Sequence, residues 1–416
     1  MALKQLIFGL LAFVCNRGSE KSFMTKIKGT GSEEFFEAFF KEISNDKPHT
    51  FAVFEMNAGL VNGTLEIPVA AWQVREFYFA FGHEDVKKSV ELQGEDQDQD
   101  QGQKKSITFD DIVSAIESYF KQYNPKSTKE GPNRFKLNEL GAYIALWMKE
   151  LYRFMEDDSR KRECAHLLAT IGRRLLYKMT LKDQKELLKS VLAKPFNGPM
   201  FHEYHHELIG WHPMPIRCPA AYEEQKMLVA ALIDKGVTPY VISKMPKLYL
   251  EAMIEHSKLK IELQHTFGSI TEAEIHGKGE DDVMADVLLG KVQAADGEGK
   301  MKIIEAKLEG RTADFASGAS MSDFEMINHV LKKGGFALLQ QDGTLEEELI
   351  NLVEATNKND KNIKQAHIQK VNWKGAKWAL QKPEEGIKQW LKSAFFLQPR
   401  TNVLPHIYRA VFAIPT

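Results

Sequence analysis

The chain has 416 residues and a formal net charge of −2, from 55 Lys and Arg set against 57 Asp and Glu. Hydrophobic residues make up 43% and charged residues 27%, enough for a sizeable core in one large domain with an insertion or in two to three ordinary domains. The near-neutral charge, with no basic stripe interleaved with aromatics, argues against a nucleic-acid footprint, and no apolar run is long enough to span a bilayer.

At the N-terminus, Met1-Ala2-Leu3-Lys4-Gln5 precedes an apolar run from Leu6 to Val14, the size of a signal-peptide core. Residues 1–18 are therefore read as a signal peptide, although Phe13-Val14-Cys15-Asn16-Arg17 makes a poor cleavage site. Secretion is the expectation, with the cytoplasm as the alternative. Cleavage just after Cys15 would leave Cys164 and Cys218, which could pair in an oxidising compartment. Asn62-Gly63-Thr64 fits a glycosylation acceptor, but lies so near the candidate site that it is read as a chance match.

Phe51-Ala52-Val53-Phe54 is a short unbroken apolar run, as expected of a strand buried on both faces. It runs into Glu55, Asn57 and the small pair Ala58-Gly59, and the carboxyl end of a buried strand is where open α/β sheets place their chemistry. From Leu65 to about Pro215 the pattern is helical, with apolar residues at one-face spacing over Phe109–Tyr123, Tyr143–Met179 and Leu181–Leu192. Gly94 to Gln103 is a polar, acidic, low-complexity run that cannot offset the entropy of ordering, and it lacks the fixed spacing of a calcium loop. After Pro219 the texture becomes α/β. A helix over Ala220–Lys235 ends at Gly236, and a strand follows over Thr238–Ser243, then a helix over Lys247–Glu255. Gly297 to Lys300 opens a helix over Met301–Leu308. Strands over Thr312–Ser317 and Gly335–Leu339 flank a turn at Gly318–Asp323 and a helix over Phe324–Leu331. Alternating strands and helices predict a Rossmann-like parallel sheet core (19–64 and 216–416), and the helical stretch 65–215 predicts a cap inserted after the first core strand.

Four polar stations then fall at strand ends or at a helix start: Glu55 with Asn57, Ser243, Lys300, and Ser320 with Asp323. In order and spacing, Gly299-Lys300 and Gly318-x-Ser320-x-Ser322-Asp323-x-x-Met326 resemble the motifs of haloacid dehalogenase-like hydrolases, in the phosphoserine and phosphorylcholine phosphatase branch. The resemblance runs from about Phe51 to Leu339. It implies a nucleophilic aspartate on the first strand, an acid/base aspartate two residues on, and a serine or threonine holding a phosphoryl oxygen. It also implies a charge-neutralising lysine and carboxylates that hold Mg²⁺.

The sequence departs from that pattern where the chemistry is done. Glu55 stands at the nucleophile position, one methylene longer than aspartate. Asn57 stands at the acid/base position, and its amide does not trade protons near neutral pH. Ala319 replaces a metal carboxylate, leaving Asp323. Ser243 and Lys300 are kept as phosphate anchors. The resemblance thus implies a phosphatase fold with impaired catalysis, serving as a pseudophosphatase or a ligand-binding protein with no cofactor. Its partner would be a small phosphorylated molecule or another protein. The alternative is an active Mg²⁺-dependent phosphomonoesterase acting on a metabolite such as phosphorylcholine.

A rival lies in His202-Glu203-Tyr204-His205-His206, which satisfies the His-Glu-x-x-His pattern of zinc peptidases, with His212 where a third ligand is expected. On a helix, His202 and His206 would share a face, and Glu203 would activate a zinc-bound water. Ile209 stands where that motif needs glycine, and Pro199, Pro213 and Pro215 leave little room for a long helix. Trp373, Trp378 and Trp390 predict a helical C-terminal extension packed on the sheet.

Overall fold

The computed structural model describes residues 19–43, 50–57, 59–90, 109–123, 125, 132–156, 174–193, 201–271, 292–293, 297–308, 311–341, 345–359, 364–372 and 375–380. The segment 1–18 read as a signal peptide, the acidic run at 94–103, Ala58, Cys164, Trp373 and Trp390 lie outside them. Its strands are β1 (Phe51–Phe54), β2 (Phe201–His206), β3 (Gly210–Pro215), β4 (Thr238–Pro246), β5 (Thr266–Thr271), β6 (Val292–Gln293), β7 (Phe315–Gly318), β8 (Phe336–Gln341), β9 (Ala366–Asn372) and β10 (Lys377–Trp378). Contacts divide the chain into two compact units. Among the described residues, one holds those up to Gly63, those within Pro219–Ser269 and those after Ala294; the other holds those within Thr64–Cys218 and Ile270–Gln293.

In the first unit, strands lie in the order β10-β9-β8-β7-β1-β4-β5. Every neighbouring pair from β9 to β5 is parallel, and only the edge strand β10 runs antiparallel to β9. Counting the parallel strands along the chain gives the order 3-2-1-4-5-6, that of a doubly wound Rossmann-like sheet. All four residues of β1 are buried because both faces of the sheet are covered. On one face, Val53, Ala316 and Leu339 pack against Ile304, Met326, Val330, Leu349 and Val353, which come from the helices Glu298–Lys307, Phe324–Lys332 and Glu347–Asn359.

The other face is covered by a helix absent from the sequence reading. Glu33–Ile43 turns Phe35, Phe36, Phe39, Phe40 and Ile43 inward, an apolar stripe at helical spacing. The Phe39 ring lies 5.0 Å from that of Phe315 and 5.2 Å from that of Phe336. The Phe36 ring stacks 5.8 Å from Trp378. Trp378 sits in β10, so the part of the expected C-terminal helical extension that is described is a strand pair. A tryptophan at a sheet edge needs only one partner face, which the phenylalanine helix supplies.

The second unit contains the helices Glu66–Glu76, Phe109–Gln122, Arg134–Glu156 and Leu181–Leu192. The last coincides with its sequence expectation. Within the stretch expected to continue a helix, 175–178 is turn, with Lys178 in the left-handed region at φ 63°. The unit is not wholly helical, because β2 and β3 pair as an antiparallel hairpin whose turn ends at Gly210, which has φ 82°. Ile270 and Thr271 also pair antiparallel with Gln293 and Val292. Among the described residues no helix is long and apolar enough to cross a membrane.

Candidate functional site

The strand order reverses between β1 and β7, and crevices at such switch points are where doubly wound sheets bind ligands. The Glu55 amide donates to Ser317 O at 2.8 Å, extending the β1–β7 ladder by one residue before the chain turns. The turn folds back so tightly that a Cβ on Gly59 would lie 2.2 Å from Glu55 O, which only glycine allows. Gln340 Nε2, buried at the end of β8, donates to the Gly59 carbonyl and pins that turn. Gln340 lies one residue beyond the strand predicted from sequence; the alternation of β8 would have reached it had the strand been extended.

Into this turn the structure brings Glu55, Ser243, Lys300 and Asp323, all buried. Glu55 Oε1 accepts from Ser243 Oγ at 2.5 Å and from the Asn57 N–H at 3.2 Å. Its other oxygen accepts from Lys300 Nζ, which also donates to Asp323 Oδ1. Lys300 lies in the first turn of its helix, whose preceding residue, Gly297, has φ 46° and donates its N–H to Ser322 O at 3.3 Å. That tie brings the helix start to the loop after β7. In the loop, Asp323 Oδ2 accepts from the Ala319 N–H at 2.9 Å, the Ser320 N–H at 3.1 Å and Ser320 Oγ at 3.3 Å. A Cβ on Gly318 would sit 2.6 Å from that of Asp323, so the loop closes only with glycine there. Ser322 Oγ lies 3.5 Å from Lys300 Nζ and 2.9 Å from Ser320 Oγ.

Two carboxylates thus share one ammonium out of contact with water. Burial pushes the Glu55 carboxyl above its ordinary range, and the neighbouring Asp323 adds to this against the opposing pull of Lys300 and Ser243. Burial acts on Asp323 in the same direction, yet Lys300 and the Ala319 and Ser320 N–H groups hold its carboxyl below the usual range. Lys300 is held above its ordinary value: burial opposes the charge, but both carboxylates outweigh it. Glu346 is half-buried nearby; burial raises its carboxyl, with the Met321 N–H opposing and Asp323 reinforcing the shift.

Asn57 and Ala319 enter this arrangement through their main-chain N–H groups, which satisfy Glu55 and Asp323 respectively. The donor set does not fit Mg²⁺. Each oxygen of Glu55 and Asp323 already accepts from a protein donor, and Ala319 brings no carboxylate, whereas Mg²⁺ demands near-octahedral oxygen coordination. Among the described residues no group of three or more His, Cys, Asp or Glu is placed to hold a metal ion.

The zinc-peptidase reading required a helix, and the residues lie on strand β2. Alternation along a strand puts His202, Tyr204 and His206 on one face and Glu203 on the other, so Glu203 cannot serve a metal held by the two histidines. His206 Nδ1 accepts from the Leu208 N–H at 3.1 Å, and its Nε2 lies 3.3 Å from Tyr143 Oη. His212 Nε2 lies 2.8 Å from Ile209 O. Cys218 Sγ donates to Val191 O at 3.1 Å.

Fold and cluster together define a doubly wound α/β protein with a large insertion after its first core strand and a closed polar cluster at its switch point. No protein-family model matches the chain, and no curated protein matches it either. Among solved structures, a conserved functionally unknown protein from Anaerococcus prevotii DSM 20548 is similar with a TM-score of 0.62 and 16% identity, over 84% of this chain and 95% of that one. A phosphoserine phosphohydrolase-like protein from Francisella tularensis subsp. tularensis SCHU S4 aligns at a TM-score of 0.32 and 12% identity, over 73% of this chain and 92% of that one. The first likeness is one of fold; the second superposes too loosely to carry an argument.

Proposed function

We propose that this chain is a haloacid dehalogenase-like phosphatase-fold protein that has lost phosphatase chemistry. The observation that carries the reading is the cluster at the switch point. Residues resembling the family's four motifs meet there, yet all four carboxylate oxygens are engaged by the chain's own donors. Catalysis by this route needs a carboxylate free to attack phosphorus, a second that moves a proton to the leaving group, and a metal. Glu55 is tied down by Ser243, Lys300 and Asn57, and position 57 offers an amide. A carboxylate displaced by about an ångström costs on the order of 10²-fold in rate. The protein is then a pseudophosphatase whose second unit is the cap. A phosphorylated small molecule could bind only by displacing the Glu55 side chain.

The test is turnover of a generic aryl phosphate with Mg²⁺ by the parent chain and by Glu55→Asp, Asn57→Asp, Ala319→Asp alone and combined. The parent is expected to be inert, with activity concentrated in the triple variant, since such residues act as a unit. Mg²⁺-dependent turnover by the parent would refute the reading.

A further inference from the structure

The face of the sheet under the phenylalanine helix carries a second group of buried polar side chains, away from the Glu55 cluster. Phe315 and Phe336 meet Phe39 on that face, and alternation places Ser317, on β7, and Gln340, on β8, on the same face. Gln369 stands beside Gln340 in register on β9. Both glutamines are 1% exposed, and Ser317 is wholly buried. Each glutamine spends its amide N–H on backbone, Gln340 on Gly59 O and Gln369 on Lys370 O at 2.7 Å and Ala379 O at 3.4 Å. Their Oε1 atoms, like Ser317 Oγ, have no hydrogen-bond partner among the described residues. Two neighbouring amide oxygens cannot answer each other, because both only accept.

The start of the helix Glu223–Asp234 lies over this stretch of sheet, held at two points. On one side the Tyr222 N–H donates to Leu60 O at 3.0 Å, next to the Gly59 carbonyl that Gln340 holds. On the other, the Trp378 N–H, on the strand beyond Gln369, donates to Glu224 Oε2 at 3.2 Å. Gln225 follows in the chain and is wholly buried, and neither end of its amide has a partner among the described residues; nor has Trp378 Nε1. Native chains leave few buried polar atoms unbonded. Those gathered here are acceptors and donors together, and none carries a charge.

We propose that Gln225, Gln340 and Gln369, with Ser317 and Trp378, line a closed site for a small cluster of bound water. A water molecule both donates and accepts, so it meets amide oxygens and N–H groups alike. A cation would suit the oxygens but not the N–H groups of Gln225 and Trp378. Water donating to Gln340 Oε1 also fixes which way round that amide lies, and so keeps its N–H on the Gly59 carbonyl. The site goes beyond the functional reading above and does not depend on it.

A crystal structure of the full chain, at a resolution that orders solvent, tests the proposal directly. Water is expected within hydrogen-bond distance of both Gln340 Oε1 and Gln369 Oε1, and of the Gln225 amide. Direct bonds from Gln225 to the other two amides, dry contact between them, or an ion coordinated by their oxygens would each overturn it. Urea denaturation of Gln225→Met, which keeps the length and removes the amide, is the second measurement. Losing a partner of bound water should lower the folded-to-unfolded ratio about tenfold. A ratio that rises would mean that the buried amide was simply unbonded, and would also overturn the proposal. The fall should be equal in sodium, potassium and choline chloride; dependence on the small cation would give the site to an ion. If Gln225→Met does not fold, Gln369→Met and the crystal of the parent decide by the same outcomes.

Discussion

Glu55, Lys300 and Asp323 share one buried spot, and their proton affinities are pulled apart by what each faces. Asp323 has an ammonium and two backbone N–H groups, so its stabilising contribution is lost only as pH falls below the ordinary 3.8 toward its lower folded value. Lys300 contributes until pH rises above the ordinary 10.5 toward its higher folded value. Glu55 runs the other way. Its folded value is raised above 4.5, so the folded chain holds that proton more tightly than the unfolded chain does. Its contribution is complete below 4.5 and fades as pH rises through the folded value. Glu55 is therefore the member of the trio whose titration in the folded chain lies above its ordinary 4.5. Relative to Glu55→Gln, the parent should lose stability as pH rises from there through the folded value, by about 1.4 kcal/mol for each tenfold difference in proton affinity between folded and unfolded states. Urea denaturation of both proteins from pH 4.5 to 8 measures it. A parent that gains on Glu55→Gln across that range would mean that Lys300 outweighs burial.

Elements in the second unit are fitted to one another by single small residues. Gly141, on the helix Arg134–Glu156, faces the ring of Tyr204 on β2, and a Cβ there would lie 2.0 Å from Tyr204 Cδ1. Tyr204 is itself 3% exposed and donates its hydroxyl to Ala71 O at 3.2 Å, so the ring is held at both ends. Gly141→Ala should destabilise the chain by about 1–3 kcal/mol or more through overpacking. Tyr204→Phe, which loses a hydrogen bond but keeps the packing, should cost about 1 kcal/mol. Denaturant midpoints of the two variants check the order, and a Gly141→Ala chain as stable as the parent would show that helix and hairpin separate freely.

At the scale of the whole molecule, the ends of the insertion are joined within the first unit. The Asn62 N–H donates to Ala220 O at 3.0 Å, and the Ala220 N–H donates to Asn62 Oδ1 at 2.6 Å. The same bond occupies the side chain of Asn62, the residue a glycosylation match would modify. With its exit and entry points already paired, the insertion can be removed at little cost in loop closure. Replacing Thr64–Cys218 with a short Gly/Ser linker should leave a chain that unfolds cooperatively and keeps an α/β circular dichroism spectrum. A non-cooperative product would show that the sheet cannot stand without the inserted residues.

Sequence by itself determined the strands that carry the cluster and the positions of its residues. A run such as Phe51–Phe54 followed at once by a carboxylate has few other placements in an α/β protein, and apolar periodicity separates the helices at 181–192 and 247–255 from the strands around them. Periodicity reads one element at a time, however. The phenylalanine helix at 33–43 carries its stripe at helical spacing, but what it covers appears only when Phe315, Phe336 and Trp378 line up beneath it across three strands. His202–His206 satisfies a helical motif by spacing alone; pairing with Gly210–Pro215 made it a strand and turned Glu203 away from the histidines. The state of Glu55 was likewise beyond the sequence. Its extra methylene is visible there, but which donors claim its oxygens depends on where β4, the Lys300 helix and the turn after β1 place them. Those distances are set by packing between segments far apart along the chain.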